Sequence, residues 1–304
     1  MKHGHDTPLY ILALDHRTSF RTKLFGIDRA ATPDELERMI EAKRIILDGL
    51  LVAAESATPG TVGALTDEEY GAAAARAAKA RGLPLAMCVE RSSRAEFELE
   101  HGDDFARHIE AFDPDFVKVL TRYNPGGDRE LNRRQAEKLA RLSDWLEPRR
   151  TKYLFEVLVP AEPAQLAQLD RDPDRYAREL RPELTVTAID ELHAAGVEPD
   201  VWKVEGFDST RDCRRVAEAA RADGRDGVAC VVLGAGADEA TVAHWLRQAA
   251  SVDGFIGFAI GRTIFWDALK GWLGGRADRE TTVEAIAGNY RQTIELYESA
   301  ATPV

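Results

Sequence analysis

Cysteine is scarce in this chain, basic residues are outnumbered, and no long apolar run occurs. The three cysteines, Cys88, Cys213 and Cys230, are odd in number and follow no metal-ligand spacing, which argues against a disulfide framework and suits a reducing, cytoplasmic setting. The formal charge of −12 argues against a non-specific nucleic-acid or anionic-membrane partner, since both demand a basic surface. A phosphorylated small molecule remains compatible, because a few backbone amides and one arginine can hold it. No segment is long and apolar enough to suggest a membrane span, and Met1 to Pro8 is polar and lacks a signal-peptide core. His3 and His5 read as a frayed tail. No Ser/His/Asp elbow, Walker-type loop, flexible linker or low-complexity tract is found.

What is present is a regular alternation of strand and helix. Apolar runs stand at Tyr10–Leu14, Thr61–Leu65, Leu85–Val89, Phe116–Leu120, Tyr153–Val159, Val201–Glu205, Val228–Leu233 and Phe255–Ile260. Helical spacing predicts helices over Glu35–Glu55, with Thr32 or Asp34 as cap, Asp67–Arg81, Phe97–Phe112, Asn132–Leu146, Thr185–Ala195, Cys213–Ala222, Glu239–Ala250 and Glu284–Ser299, and Gly261-Arg262 opens one more. Pro160–Pro182 reads as a long connection carrying Arg171, Arg175, Arg178 and Arg181. Eight such units without a linker predict an α/β protein, a single (β/α)8 TIM barrel over residues 1–304.

The sixth strand holds the residue that most needs explaining. Strands of a parallel sheet are covered on both faces, so Lys203, set among Val201, Trp202 and Val204, is a cation where an apolar residue belongs. A desolvated lysine can become a nucleophilic amine near neutral pH. Glu205, two residues on, shares its face. Other strand ends carry Asp15, His16 and Arg17, Glu90 and Arg91, Lys118, and Glu156. Buried charges must be paired, and a barrel gathers its chemistry at the carboxyl ends of its strands, so these groups are expected to form one polar site.

Gly234-Ala235-Gly236 after strand seven and Gly261-Arg262 after strand eight occupy the place where such barrels bind phosphate. Of the seven histidines only His16 falls at a strand end; His101, His108, His193 and His244 lie in or beside helices, where solvated or capping roles suit them. No metal and no cofactor are therefore expected. Two lysines, two carboxylates and a phosphate grip fit Schiff-base chemistry on a phosphorylated ketone and a retro-aldol cleavage. A phosphosugar isomerase or decarboxylase without a covalent step, and a non-catalytic phosphosugar-binding barrel, are the alternatives. Trp266 and Trp272 either face a homo-oligomer interface or pack in the core.

The segments Leu12-Ala13-Leu14-Asp15-His16-Arg17, Val117-Lys118-Val119-Leu120, Phe155-Glu156-Val157-Leu158-Val159-Pro160, Val201-Trp202-Lys203-Val204-Glu205 and Gly257-Phe258-Ala259-Ile260-Gly261-Arg262, with Trp266, run in order over nearly the whole chain. In them the sequence resembles the lysine-dependent class I aldolases related to tagatose-bisphosphate and sulfofructose-phosphate aldolases. It is most similar to the aldolase-like domain, often fused to a sugar kinase, of bacterial inositol catabolism. The resemblance implies that Lys203 forms the Schiff base, that Lys118 lines the site and helps keep that amine unprotonated, and that Asp15 and Glu156 handle protons and orient the lysines. Arg262, Gly234, Gly236 and Gly261 are implied to hold phosphate. The implied substrate is 2-deoxy-5-keto-gluconate 6-phosphate, split into dihydroxyacetone phosphate and malonate semialdehyde, with Arg17, Arg122 or an arginine of the 160–182 connection facing its carboxylate. The chain departs from the fused form in having no kinase domain, and from the better-known aldolases in having Gly206-Phe207 after the Lys-x-Glu element.

Overall fold

The computed structural model describes residues 3–58 and 61–301. Eight parallel strands, β1 (Leu9–Ala13), β2 (Val62–Thr66), β3 (Leu85–Cys88), β4 (Phe116–Arg122), β5 (Lys152–Leu158), β6 (Val201–Glu205), β7 (Ala229–Leu233) and β8 (Phe255–Ile260), close in sequence order into a (β/α)8 TIM barrel. Around them run α1 (Pro33–Ala54), α2 (Ala72–Ala80), α3 (Phe105–Phe112), α4 (Arg129–Leu146), α5 (Pro163–Gln168), α6 (Pro173–Glu179), α7 (Arg181–Ala194), α8 (Thr210–Ala220), α9 (Glu239–Ala250), α10 (Arg262–Leu273) and α11 (Arg279–Ala301). Thr32 does cap α1, in a reciprocal box with Glu35. Among the described residues no helix is long and apolar enough to cross a membrane.

Strand alternation sorts the side chains into two cores. Leu9, Ile11, Leu65, Ala86, Phe116, Leu154, Val201 and Val231 fill the lumen. Their neighbours, such as Val117, Phe155, Trp202 and Val204, point outward beneath the helices. The same alternation carries Lys118 above Phe116, Glu156 above Leu154 and Lys203 above Val201, all into the upper lumen. Glu156 is the register partner of Lys203 across β5 and β6. Trp266 and Trp272 lie half-buried against the helical core.

Four local expectations are corrected. The reading of Met1–Pro8 begins outside the described residues, but His3 and His5 belong to no frayed tail. Gly4 N–H donates to Asp200 Oδ1 at 2.8 Å, His5 N–H to Gly227 O at 3.0 Å, and the His5 ring meets Phe116 edge-on. The segment closes the barrel floor because Asp200 and Gly227 offer it partners there. Helix α3 begins at Phe105 rather than Phe97. The preceding residues fold back instead, with an antiparallel bridge between Glu90 and Leu99 and the Phe97 N–H given to Gln135 Oε1 at 2.8 Å. Helix α2 begins at Ala72, since Asp67 is spent below it on Lys43. Finally, the 160–182 connection is no bare loop: α5 and α6 each start on a proline, whose fixed φ suits a first helical turn, and α7 already begins at Arg181.

Candidate functional site

One cavity of about 360 Å³ at the carboxyl end of the barrel is lined by Asp15, Arg17, Lys118, Arg122, Glu156, Lys203, Glu205, Gly234, Gly236, Gly261 and Arg262, whereas the candidate arginines of the 160–182 connection lie outside it. Its centre is a cage of buried charges. Lys118 Nζ lies 2.8 Å from Asp15 Oδ2, 2.9 Å from Glu90 Oε1 and 3.0 Å from Glu156 Oε2. Lys203 Nζ reaches the same Glu156 Oε2 at 2.8 Å. The two lysine side chains are 2% and 5% exposed, so each ammonium depends on these carboxylates rather than on water.

The electrostatics follow from that geometry. Burial by itself would raise the Asp15 carboxyl, but Lys118, and then Lys203 and His16, outweigh it and hold Asp15 well below the usual carboxylate range. Glu156 shows the same balance on a smaller scale: burial opposes, Lys118 and Lys203 prevail, and its carboxyl is lowered. In Glu90 burial wins over Lys118 and Arg17, and the carboxyl is raised. Lys118 is the reverse case, since the attraction of Asp15, Glu156 and Glu90 overcomes its desolvation and raises it well above an ordinary lysine. One lysine is thus locked as a cation, while the other shares a single carboxylate oxygen with it.

The cage rests on a second buried pair that sequence reasoning missed. Lys43, from α1, donates to the backbone carbonyls of Leu14 and His16, and to Asp67 Oδ2 at 2.9 Å. It thereby pins the turn carrying Asp15. The signal was a lysine on the apolar face of α1, beside Met39, Ile46 and Leu47. Glu90, noted only as a strand-end charge, is a full member of the cage, and its Oε2 is buried without a hydrogen-bond partner.

Several side chains already have work within the protein. Arg17 donates to Glu90 O at 2.6 Å and Glu100 Oε2 at 3.1 Å, so the expectation that it faces a substrate carboxylate does not fit its position. Arg181 is held by Glu205 Oε1 at 3.1 Å and Gly206 O at 2.8 Å, which commits Glu205 to a structural pair and removes Arg181 from the candidates. Arg175 pairs with Asp170 and Glu179 away from the cavity. Arg122 lines the rim, its guanidinium bonded only to Arg94 O, at 3.2 Å, among the described residues. The Gly206 departure has a packing cause: a Cβ there would stand 2.2 Å from the ring of Trp245.

Opposite the cage, Ala235 and Gly236 both adopt positive φ, at 50° and 79°, and the Arg262 guanidinium lies against Gly236, 2.6 Å from where a Cβ would be. A Cβ on Gly261 would fall 1.9 Å from Ala13 O, so glycine is required where α10 starts, and no side chain caps that start. Among the described residues no carboxylate pairs with Arg262. As for metal donors here, Asp15, Cys88 and Glu90 converge, but the two carboxylates already serve Lys118 and burial pushes the Cys88 thiol well up.

Solved structures of similar fold include a Schiff-base-forming fructose-1,6-bisphosphate aldolase, at 14% identity and TM-score 0.58, covering 95% of this chain and 94% of that one. Cgl0159 from Corynebacterium glutamicum matches at 17% identity and TM-score 0.56, over 96% of this chain and 88% of its own. A fructose-bisphosphate aldolase from Slackia heliotrinireducens matches at 13% identity and TM-score 0.54, over 92% and 86%. At such identities the likeness is one of fold. No curated protein matches the sequence. A family model does, over residues 2–301, so the chain belongs to the family described as "Uncharacterized protein conserved in bacteria (DUF2090)".

Proposed function

We propose that the protein is a class I aldolase, a carbon–carbon lyase that cleaves a phosphorylated ketose or keto sugar acid through a Schiff base on Lys203. The observation that carries this reading is the shared oxygen: Lys203 and Lys118 both contact Glu156 Oε2, and Lys118 has two further carboxylates to itself. Glu156 Oε2, 2.8 Å away, is the acceptor for the proton that Lys203 must give up before its amine attacks, and Lys118 keeps Asp15 and Glu90 as partners when it does.

The step balances with residues on hand. The amine adds to the ketone carbon, and the resulting carbinolamine loses its hydroxyl as water, with the proton supplied by Glu156. The iminium then draws in the electron pair of the bond between its α- and β-carbons as the β-hydroxyl gives its proton to Glu156; the aldehyde fragment leaves and an enamine remains. Protonation of the enamine and addition of water release the second product and restore Lys203. Asp15 stays ionised and anchors Lys118.

Arg262, the left-handed turn at Ala235-Gly236 and the uncapped start of α10 suit a phosphate group at the far wall. The fold of the aldolase neighbours supports the same class of chemistry. The resemblance in sequence favours 2-deoxy-5-keto-gluconate 6-phosphate, with dihydroxyacetone phosphate and malonate semialdehyde as products, in inositol catabolism. Arg122, rather than Arg17, then faces its carboxylate. Three unpaired, buried cysteines suit a cytoplasmic enzyme.

Borohydride reduction in the presence of dihydroxyacetone phosphate, read by intact-protein mass spectrometry, tests the assignment. A stable adduct on the wild type and none on Lys203→Ala is the expected result. Phosphate-ligand binding without any adduct would replace the aldolase with a non-covalent isomerase or a binding barrel, and an adduct surviving the substitution would move the nucleophile to Lys118.

A further inference from the structure

Outside the barrel mouth, a second cluster of side chains has no part in the chemistry above. Glu68 leaves the turn after β2, His101 ends the folded-back segment that follows β3, and His108 stands on α3. His101 Nε2 lies 3.0 Å from Glu68 Oε2 and His108 Nδ1 lies 2.9 Å from the same oxygen. The two imidazoles stack 3.3 Å apart and 1° from parallel. We propose that Glu68, His101 and His108 bind a divalent transition-metal ion of the Zn²⁺ class.

The donor set and its spacing support this. Two imidazole nitrogens and one carboxylate leave a fourth position for water, an arrangement zinc accepts. Bonds of about 2.0–2.1 Å in a tetrahedron put donor atoms roughly 3.3 Å from one another. The three atoms here lie within 4.8 Å of one another, and each nitrogen is 2.9–3.0 Å from the carboxylate oxygen, so those two separations need to open by only a few tenths of an ångström. Each ring must also pivot, because a lone pair lies in the plane of its ring and the parallel rings do not yet converge. Side chains that are 33%, 23% and 37% exposed have room for that pivot and leave the ion a path of entry.

Each donor is also held by backbone that is fixed independently. Asp67 Oδ1 accepts the Tyr70 N–H at 2.7 Å and sets the turn that presents Glu68. Glu100 N–H bonds Val89 O at 2.8 Å, which places His101. Near His108 Nε2 stand Arg107 Nη2 at 3.4 Å and Asp104 Oδ2 at 3.7 Å; metal at Nδ1 leaves the ring proton on Nε2, so Asp104 closes to hydrogen-bond distance there in place of Arg107. Since Glu100 also holds Arg17 of the barrel mouth, the ion steadies the same segment that supplies Arg17 its partner.

The simpler account is that Glu68 accepts a hydrogen bond from each ring, and the two accounts differ in what they bind. Titration calorimetry of the full chain with ZnCl₂ should give one saturable equivalent. Glu68→Gln, which preserves size, and His101→Ala/His108→Ala should each weaken it by at least the 10- to 100-fold, roughly, that even outer-layer changes cost. Millimolar Mg²⁺ or Ca²⁺ should not compete, because nitrogen donors disfavour them. Co²⁺ should give the intense visible bands of a tetrahedral site in the wild type and lose them in the double variant, with circular dichroism confirming that both fold. Equal Zn²⁺ affinity in the wild type and the double variant overturns the proposal. So does binding that survives in it but disappears with His3→Ala/His5→Ala.

Discussion

Lys118→Met asks whether the cage in the barrel mouth is electrostatic in origin. The substitution keeps an unbranched side chain of similar length but leaves Asp15, Glu90 and Glu156 without the cation 2.8–3.0 Å from each. Removing one partner of a buried pair costs about 3–5 kcal/mol, because the remaining charge stays desolvated. Near neutral pH the thermal midpoint should therefore fall by roughly 5–10 °C. The pH dependence is the sharper test. In the wild type Asp15 and Glu156 are held below their unfolded values, so they contribute stability above those values that is lost as pH falls through the folded ones. Without Lys118, Glu90 keeps only Arg17 against its burial and rises further, while Asp15 and Glu156 keep Lys203 and move up from their wild-type values; for a carboxyl carried above its unfolded value the contribution reverses, being present below that value and lost as pH rises through the folded one. The deficit of the variant should accordingly shrink between pH 7.5 and pH 4.5, and taking the difference from wild type at each pH cancels every group distant from the cage. Thermal scans or urea unfolding at four pH values measure it. A deficit that is constant with pH, or that grows toward acid, would refute the reasoning.

The histidines make a separate prediction. Burial is the largest cause that lowers His5 to about 4, His16 to about 3 and His193 to about 4, so the unfolded chain binds more protons than the folded one between those values and 6.5. Stability should then fall as pH drops through that window, by roughly 1 kcal/mol per histidine from pH 7 to 5.5, and His193→Gln should flatten the slope of the urea midpoint; an unchanged slope counts against it. Arg262→Ala should weaken dihydroxyacetone phosphate roughly 10- to 100-fold, the worth of a charge-assisted hydrogen bond, while leaving Lys203 trapping intact at saturation. Unaltered affinity would remove Arg262 from the phosphate site.

Much of this architecture was legible because it is written in short-range patterns. Eight short, continuous apolar runs, separated by helical ones, leave little choice but a barrel, and a charge inside such a run, as at Lys118, Glu156 and Lys203, stands out against its neighbours. What stayed hidden depends on partners distant in sequence. Lys43 looks like one more helix lysine until Asp67 and the carbonyl of Leu14 come to meet it. The stretch from Phe97 is apolar and charged at nearly helical spacing, yet it folds back, since Gln135 and Val89 capture its amides. Arg17 and Arg181 read as free cations at a strand end and in a connection, and only the fold reveals Glu100 and Glu205 as their counter-charges.

The same distinction bears on why a barrel mouth keeps so many buried charges. Well-packed apolar residues would cost the fold less, for desolvating an ion is expensive even when it is paired. Arg181–Glu205 and Lys43–Asp67 each match one carboxylate to one cation and to backbone groups, as a structural pair should, although Arg181 Nε is left without a partner. The central cage does not close in this way. Its cations compete for one oxygen of Glu156, the other oxygen of Glu90 has no partner, and Arg262 across the cavity has no carboxylate among the described residues. Those are deficits that a substrate carrying a carbonyl, hydroxyls and a phosphate can fill, which is the physical ground for treating this cage, and neither of the closed pairs, as the seat of the chemistry.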